Sequence, residues 1–301
     1  MNLRSMRKYF ERNFASTLFC ICQLSKWITS PASFKKNLLL LISIHFFLFT
    51  QAQTPSDSSR IPEDEAMADD PSRFFTRVEL FNELQKHHNN YYLDQTTLRT
   101  IVKLGDKFTT RLDIPFLHNS VNSSAGYQQF GISDISFRLL GYKLLESPKR
   151  ALTASIEFSL NTANSPLTGS GKNVIAPMVS YTQALKKGVL LAFVFEEIYS
   201  FSGDKKREDI SYSKLQAILL YTWSKRIWTT LAPEWFLDYV QGGVSMNLEG
   251  RIAYAVTTRF NLFAQAGAGI FGNHDFIPYY QWSAEIGCRY FMFRNPHPKR
   301  K

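Results

Sequence analysis

Charged side chains recur at every second position in several segments of the chain, between apolar neighbours. Arg111 and Asp113 form one such pair, and Glu249 and Arg251 form another. A period of two places these side chains on one face of a β-strand. If the apolar face contacts lipid, the charged face lines the inside of a barrel, where opposite charges either pair with each other or form a constriction that selects solutes by size and charge. The lumen-facing set is Arg99, Arg111, Asp113, Asp134, Arg138, Glu157, Lys214, Glu234, Asp238, Glu249, Arg251, Glu285 and Arg289, and all except Arg99, Lys214 and Asp238 are candidates for the selectivity site.

The histidines offer little for catalysis or metal binding. His118, Asn119 and Ser120 are consecutive, whereas groups that share a strand face lie two positions apart, so they do not form the Ser–His–Asn arrangement of an outer-membrane phospholipase. His87 and His88 are adjacent in a predicted loop without carboxylate partners. We therefore predict no enzymatic activity, no metal and no cofactor, with a lipid hydrolase on the barrel wall as a less favoured alternative.

The elements that carry these side chains are predicted to be β-strands. From Arg73 to Phe293 the hydropathy pattern has a period of two, as in the run from Leu152 to Asn161. The segments suit the length of roughly 9–11 residues that a tilted strand needs to cross a bilayer. Twelve segments are expected, at 73–86, 91–104, 107–117, 132–145, 150–161, 174–185, 189–201, 212–223, 227–239, 244–257, 260–271 and 279–293.

The connections between these segments alternate between short and mostly longer. Short turns such as Gly105-Asp106 and Thr258-Arg259 alternate with loops such as 118–131 and 162–173. An even strand number with short turns at one end and longer loops at the other is typical of a bacterial outer-membrane barrel. The predicted fold class is therefore all-β, an antiparallel up-and-down transmembrane β-barrel of about twelve strands.

Aromatic residues concentrate near the ends of the predicted strands, as expected where rings lie at the two membrane interfaces. A soluble β-sandwich also uses aromatic residues, but it buries its apolar face and does not need two such bands. Those near the long loops are Tyr91, Tyr92, Phe130, Tyr199, Phe201, Trp235, Tyr239, Phe271, Tyr279 and Tyr280, and those near the short turns are Phe108, Tyr142, Trp223, Trp228, Phe260 and Tyr290.

The 301 residues carry a formal net charge of +10, which is concentrated at the two ends of the chain. Residues 1–52 contain seven Lys and Arg against the single acid Glu11, and residues 294–301 contain four more. Because a nucleic-acid-binding surface needs its cations on the folded body, we predict no nucleic-acid partner. The mean hydropathy of -0.19 excludes a bundle of apolar transmembrane helices.

The amino-terminal part of the chain predicts export. Lys35 and Lys36 precede the apolar stretch 38–49, and Ala52 offers a small residue at a cleavage point, which is the pattern of a signal peptide. We predict a basic leader (1–34), interpreted as an over-long gene model with translation starting near residue 34, and then a cleaved signal peptide (35–52), an acidic flexible linker (53–72), an outer-membrane barrel (73–293) and a basic polar tail (294–301).

Short Gly- and Ser-rich stretches carry a resemblance to a known group. Gly131 to Ser136, Leu140 to Lys143, Thr168 to Gly171 and Pro177 resemble motifs of the MetA-pathway-of-phenol-degradation family of outer-membrane proteins. The resemblance covers about residues 75–293 and implies a transporter-like barrel for small, often aromatic molecules. The aromatic stretch Tyr290 to Phe293 resembles the closing signal that outer-membrane assembly machinery reads.

Together these observations predict an outer-membrane barrel that passes small, aromatic or apolar, solutes by passive or facilitated diffusion. The partners expected are membrane lipid, lipopolysaccharide, the solutes and the barrel assembly machinery. Twelve strands enclose less space than a sixteen-stranded porin, so we expect a narrow passage, partly plugged by the acidic linker or by the loops 118–131 and 162–173. A structural or adhesin barrel that acts through loops such as 202–211 is the alternative.

Overall fold

The computed structural model describes residues 69–88, 91–121, 128–165, 167–274, 276 and 278–292. The predicted leader, signal peptide and basic tail, and residues 53–68 of the linker, lie outside this part of the chain. Within it there are 13 strand segments: β1 (Arg77–Lys86), β2 (Tyr91–Leu104), β3 (Phe108–Val121), β4 (Gln128–Ile132), β5 (Ile135–Glu146), β6 (Arg150–Leu160), β7 (Lys172–Lys186), β8 (Val189–Gly203), β9 (Ser211–Thr222), β10 (Ile227–Asp238), β11 (Val244–Ala255), β12 (Phe260–Phe271) and β13 (Trp282–Phe291).

The strands form a closed antiparallel sheet. β4 and β5 both pair with β3 and act as one interrupted strand, so the described residues form a barrel of 12 strands. Each remaining strand pairs with its neighbours in the chain, and β1 closes the barrel by pairing with β13, with Glu79 opposite Arg289. The predicted fold class is thus confirmed. Among the described residues, no helix has the length and apolar character that a membrane crossing requires.

The faces of the barrel have inverted polarity. Large apolar side chains on the outside are exposed, for example Leu231 at 48% and Ile286 at 66%. Polar side chains on the inside are buried, for example Asn247 at 1% and Glu79 at 2%. Because strand side chains alternate between faces, the period of two in the sequence becomes an apolar outside and a polar inside.

In the region predicted as the loop 118–131, the described residues 118–121 and 128–131 are strand. The carboxyl-terminal part of β3 pairs with β4, and Phe116 lies opposite Ile132. The ladder then breaks before β5 begins at Ile135. The break falls at Ser133 and Asp134. The sequence prediction ended β3 too early because the hairpin extension is polar, and its hydropathy pattern does not distinguish it from a loop.

The end of the barrel that carries the short turns has an apolar interior. Its buried cluster comes from strand residues near those turns on six strands, which point inwards. Trp228 is 1% exposed and belongs to it, so the expectation that this ring lies in an interfacial aromatic band is wrong: it has the inward register of β10. The members are Phe81, Leu190, Ala192, Leu220, Trp228, Ala253, Ala255 and Phe263, with Ile218 packed against them.

At the end that carries the longer loops, the described residues of the connection 272–281 fold into the barrel. Tyr279 and Tyr280 are 6% and 2% exposed, so neither ring belongs to the outer aromatic band predicted for it. They lie over two glycines of β12, because a methyl group at Gly269 would be 2.0 Å from the Tyr280 carbonyl oxygen and one at Gly267 would be 2.4 Å from its hydroxyl. The missing side chains of β12 thus make room for this loop.

Candidate functional site

The charged side chains that alternate along the strands meet inside the barrel as a continuous series of ion pairs. Arg138 of β5 and Arg111 of β3 both contact Glu157 of β6. Arg111 Nε also lies 3.2 Å from Asp113, which accepts two hydrogen bonds of 2.9 Å from Arg99. Planar guanidinium groups suit such shared and bidentate contacts with carboxylates. This half of the series therefore joins four neighbouring strands.

The series continues across the closure between β1 and β13. Arg99 lies 3.7 Å from Glu79, which also accepts a 2.6 Å hydrogen bond from Arg77 and lies 3.0 Å from Arg289. Glu79 thus lies within ion-pairing distance of three arginines. We call the whole series the ion-pair chain, defined by Arg77, Arg99, Arg111, Arg138, Arg251 and Arg289 with Asp69, Glu79, Asp113, Glu157 and Glu285.

Asp69 joins the last two arginines of the ion-pair chain, although it lies before the first strand. Its carboxylate is 2.7 Å from Arg289 Nη2 and 3.1 Å from Arg251 Nη1, and it accepts a hydrogen bond from Trp228 Nε1. Burial by itself raises the pKa of this carboxyl, but the charges of Arg289 and Arg251 outweigh burial and hold the pKa well below its ordinary value. Asp69 is therefore ionised at neutral pH.

The segment 69–76 crosses the interior at the short-turn end. Asp69 contacts β10, β11 and β13 on one side, whereas Ser72 bonds with the Thr182 hydroxyl of β7 at 3.1 Å on the other. The ammonium nitrogen of Lys143 on β5 lies over the Phe74 ring, 5.2 Å from the ring centre. The described end of the acidic linker, residues 69–72, thus lies inside the barrel, and the plug itself stays a prediction.

Other predicted lumen residues form separate contacts. On β8–β10, Lys214 pairs with Glu196 at 3.1 Å, and Glu234 accepts a 2.6 Å hydrogen bond from Gln216. Glu249 accepts a 2.8 Å hydrogen bond from the Tyr280 hydroxyl, which holds the inward loop 272–281. In these contacts the partners of the carboxylates are residues outside the ion-pair chain.

Two residues of the predicted set organise loops. Asp134 accepts hydrogen bonds from the backbone of Thr162, Ala163 and Ser170, and so fixes the loop between β6 and β7. Asp238 accepts one from the backbone of Val240 in the turn after β10. The structure therefore places Asp134 at the strand break, apart from the selectivity candidates that the ion-pair chain brings together.

Three members of the ion-pair chain were missed by the sequence prediction. Arg77 and Glu79 alternate with Val78 and Leu80 along β1, so the signal that found the others was present there as well. Asp69 has no such signal, because the linker has no strand periodicity and only its tertiary contacts show its position. No group of three or more His, Cys, Asp or Glu in the described residues is arranged to hold a metal ion.

Comparison with solved structures shows the same architecture in outer-membrane channels. An outer-membrane channel from Pseudomonas putida F1 matches with a TM-score of 0.59 and 14% identity, covering 78% of this chain and 98% of that one. The NanC porin matches with a TM-score of 0.52 and 9% identity (71% and 98% covered). The KdgM porin in complex with disordered oligogalacturonate matches with a TM-score of 0.51 and 10% identity (72% and 99% covered).

These likenesses show the fold, a closed antiparallel β-barrel of the kind that these outer-membrane channels have. No protein-family model and no curated protein sequence matches the chain. The resemblance to the MetA-pathway-of-phenol-degradation family therefore stays a prediction.

Proposed function

We propose that this chain is a channel of the bacterial outer membrane, through which small solutes cross by passive or facilitated diffusion. The observation that carries the proposal is the inverted polarity of a closed barrel, with exposed apolar side chains outside and buried charges inside. In a bilayer, a closed barrel pairs the backbone hydrogen-bonding groups of every strand with those of its neighbours, and the apolar outer surface contacts lipid. The porin-like fold supports the same conclusion.

We propose further that the solutes combine a polar or charged group with an apolar body. The ion-pair chain offers the polar contacts, and the apolar cluster at the short-turn end offers a surface for an aromatic or aliphatic body. This agrees with the aromatic or apolar solutes that the family resemblance implies. The predicted lipopolysaccharide and assembly-machinery contacts belong to the same proposal.

Single-channel conductance in a planar bilayer tests the channel. We would purify the full chain from the outer membrane of a Gram-negative host and compare it with Asp69→Ala, which loses the contacts between the plug and the wall. We expect discrete steps from both proteins, more frequent or larger in the variant. If both proteins are folded and inserted, as judged by heat-dependent gel migration, and both are silent, the proposal is wrong.

An adhesin barrel is the alternative that acts through its outer loops. The connection 204–210 is highly charged, and its Asp209 carboxylate pairs with Lys172 at 2.6 Å. Shortening this connection separates the two functions: we expect conductance to be unchanged, whereas an adhesin would lose binding to its host surface.

We also propose that the chain is not an enzyme. The histidine to test is His118, because it lies 4.0 Å from Asp94 across β2 and β3 and a hydrolase needs a histidine that a carboxylate orients. A His118→Ala variant is expected to leave the hydrolysis of phospholipid vesicles at the level of the native chain. A loss of hydrolysis would support the lipid hydrolase instead.

A further inference from the structure

We infer that the lumen contains a binding site for a small organic carboxylate, and that the Asp69 side chain occupies this site in the structure. The inference deepens the proposed function, because it names the chemical class of a solute that the channel would take. The site is built by Arg289, Arg251, Trp228 and Asn261, around the ring of Phe263.

The first observation is that the wall supplies three donors to one carboxylate. Arg251, Trp228 and Arg289 stand on β11, β10 and β13, and all three direct N–H groups at the Asp69 carboxylate. The donors are fixed by the barrel, whereas the acceptor is on a segment that is not part of any strand. Fixed donors around a replaceable anion are the arrangement of a binding site.

The second observation is unused hydrogen-bonding capacity beside those donors. Arg289 is 3% exposed, and its Nη1 has no hydrogen-bond partner among the described residues. Asn261 lies directly opposite Arg289 in the ladder between β12 and β13, is 1% exposed, and both polar atoms of its side chain are without a partner in the same part of the chain. Buried polar groups of this kind are costly unless a ligand or water satisfies them.

The surroundings indicate what else the ligand carries. The guanidinium groups of Arg251 and Arg289 lie 4.8 and 4.5 Å from the centre of the Phe263 ring, which orients both of them. Trp228 and Phe263 belong to the apolar cluster at the short-turn end. A carboxylate with an aromatic or short aliphatic body therefore matches the site better than a fully polar anion does.

Exchange of Asp69 for a free carboxylate leaves the wall intact. Arg289 keeps Glu79 at 3.0 Å, and Arg251 keeps Glu285 at 2.9 Å. The ligand replaces one anion by another, so the charge balance of the ion-pair chain is unchanged.

Because Asp69 is tethered, it competes with the ligand at a high effective concentration and weakens the apparent affinity of the native chain for the ligand. Ligand binding also releases the Asp69 side chain from the wall.

Calorimetric titration in detergent micelles tests the site, with benzoate as the probe and uncharged benzamide as the comparison. Asp69→Asn preserves the size of the side chain but removes its charge. We expect this variant to bind benzoate at least about tenfold more tightly than the native full-length chain does, a difference of about 1.4 kcal/mol. Adding Arg251→Gln to the variant is expected to reverse the gain, and benzamide is expected to bind weakly to every protein.

Asp70→Asn is the matched control. Asp70 is the next residue and is also buried, but it bonds to Ser72 within its own segment. We expect its benzoate affinity to stay within about twofold of the native value, because no wall donor is released.

The inference is overturned if Asp69→Asn binds benzoate no more tightly than the native chain, or if benzamide binds as well as benzoate. If Asp69→Asn does not fold, Asp69→Ser is titrated under the same criteria. Failure of the channel proposal is distinguishable, because binding in micelles does not need conduction: a silent barrel that prefers benzoate contradicts only the channel, and a conducting barrel without that preference contradicts only the site.

Discussion

Several charged side chains are buried inside this barrel. The number of oppositely charged partners decides whether such a buried charge is tolerated. Glu79 is 2% exposed and faces Arg77, Arg99 and Arg289. Removing one member of a buried group leaves the others uncompensated, which costs far more than losing an exposed pair.

We therefore expect Glu79→Gln to lower the free energy of unfolding by about 3 kcal/mol. The matched control is Glu146→Gln, because Glu146 is 54% exposed and pairs with Lys143 at the end of β5; this change is expected to cost less than about 1 kcal/mol. Urea unfolding of the two variants in lipid vesicles measures the difference. Equal losses in the free energy of unfolding would show that the buried Glu79 contributes no more to stability than the exposed Glu146 does.

His87 predicts a pH dependence at the edge of the inward loop. Its Nδ1 lies 3.1 Å from the Tyr279 carbonyl oxygen. Burial lowers the pKa of His87, and this outweighs the hydrogen bond to Tyr279, which raises it. His87 therefore binds a proton more readily when the loop 272–281 is released than when it is docked, so docking is fully stable above the ordinary pKa of 6.5 and weakens as the pH falls below it.

The reporter is the Gln281 amide, which donates a 2.7 Å hydrogen bond to the Lys86 carbonyl oxygen. After correction for intrinsic exchange, we expect its hydrogen-exchange protection to be lower at about pH 5.5 than at about pH 7.5. His87→Gln should remove this dependence, and His118→Gln should preserve it. Protection that does not change with pH in the native chain would contradict the role assigned to His87.

At the scale of elements, the fit between β12 and the loop 272–281 depends on missing side chains. The Gly269 amide donates to the Gln281 carbonyl oxygen at 3.1 Å, and the loop backbone fills the space where a side chain of residue 269 would be. A strand with glycines on its inward face can thus hold a folded loop within the lumen.

We expect Gly269→Ala to displace this loop at a cost of about 2 kcal/mol, because the new methyl group meets backbone that cannot rotate away. Gly250→Ala is the control, since the corresponding methyl group on β11 has no heavy atom within 4 Å. Protease cleavage between residues 272 and 281 should accelerate only in Gly269→Ala. Similar cleavage of both variants would mean that the glycine does not position the loop.

At the scale of the whole molecule, the barrel inverts the usual distribution of polarity, and lipid is the environment that stabilises it. Ile286 lies in the middle of β13 and is 66% exposed, whereas Leu144 is 50% exposed and lies two residues from the end of β5. The two positions thus sample different depths of one apolar surface.

We expect Ile286→Arg to destabilise the barrel in vesicles by about 2–4 kcal/mol and Leu144→Arg by about 0–1 kcal/mol, because the cost of a charge falls towards the interface. Reversible unfolding in vesicles followed by tryptophan fluorescence measures both. If the two substitutions cost the same, the outward face does not cross a bilayer as proposed.

Local alternation by itself determined the number of strands and the inward face of charged residues within them, but not the position of Asp134, which lies at the break between β4 and β5. Arg111 with Asp113 and Glu249 with Arg251 were found because the side-chain period of a strand is two, whatever the partner strand is. The turns followed for the same reason, since each interrupts the pattern. The prediction ended β3 early, where polar residues continue the ladder beyond the apolar pattern.

Only the tertiary structure decided which charges meet and what fills the lumen. Arg289 pairs with Glu79 because β13 closes onto β1, a contact between the two ends of the barrel that no local pattern encodes. Asp69 and the loop 272–281 lie inside for a related reason: neither has strand periodicity, and each is held by side chains from distant strands. Their positions depend on the space and the charges that exist only once the barrel has closed.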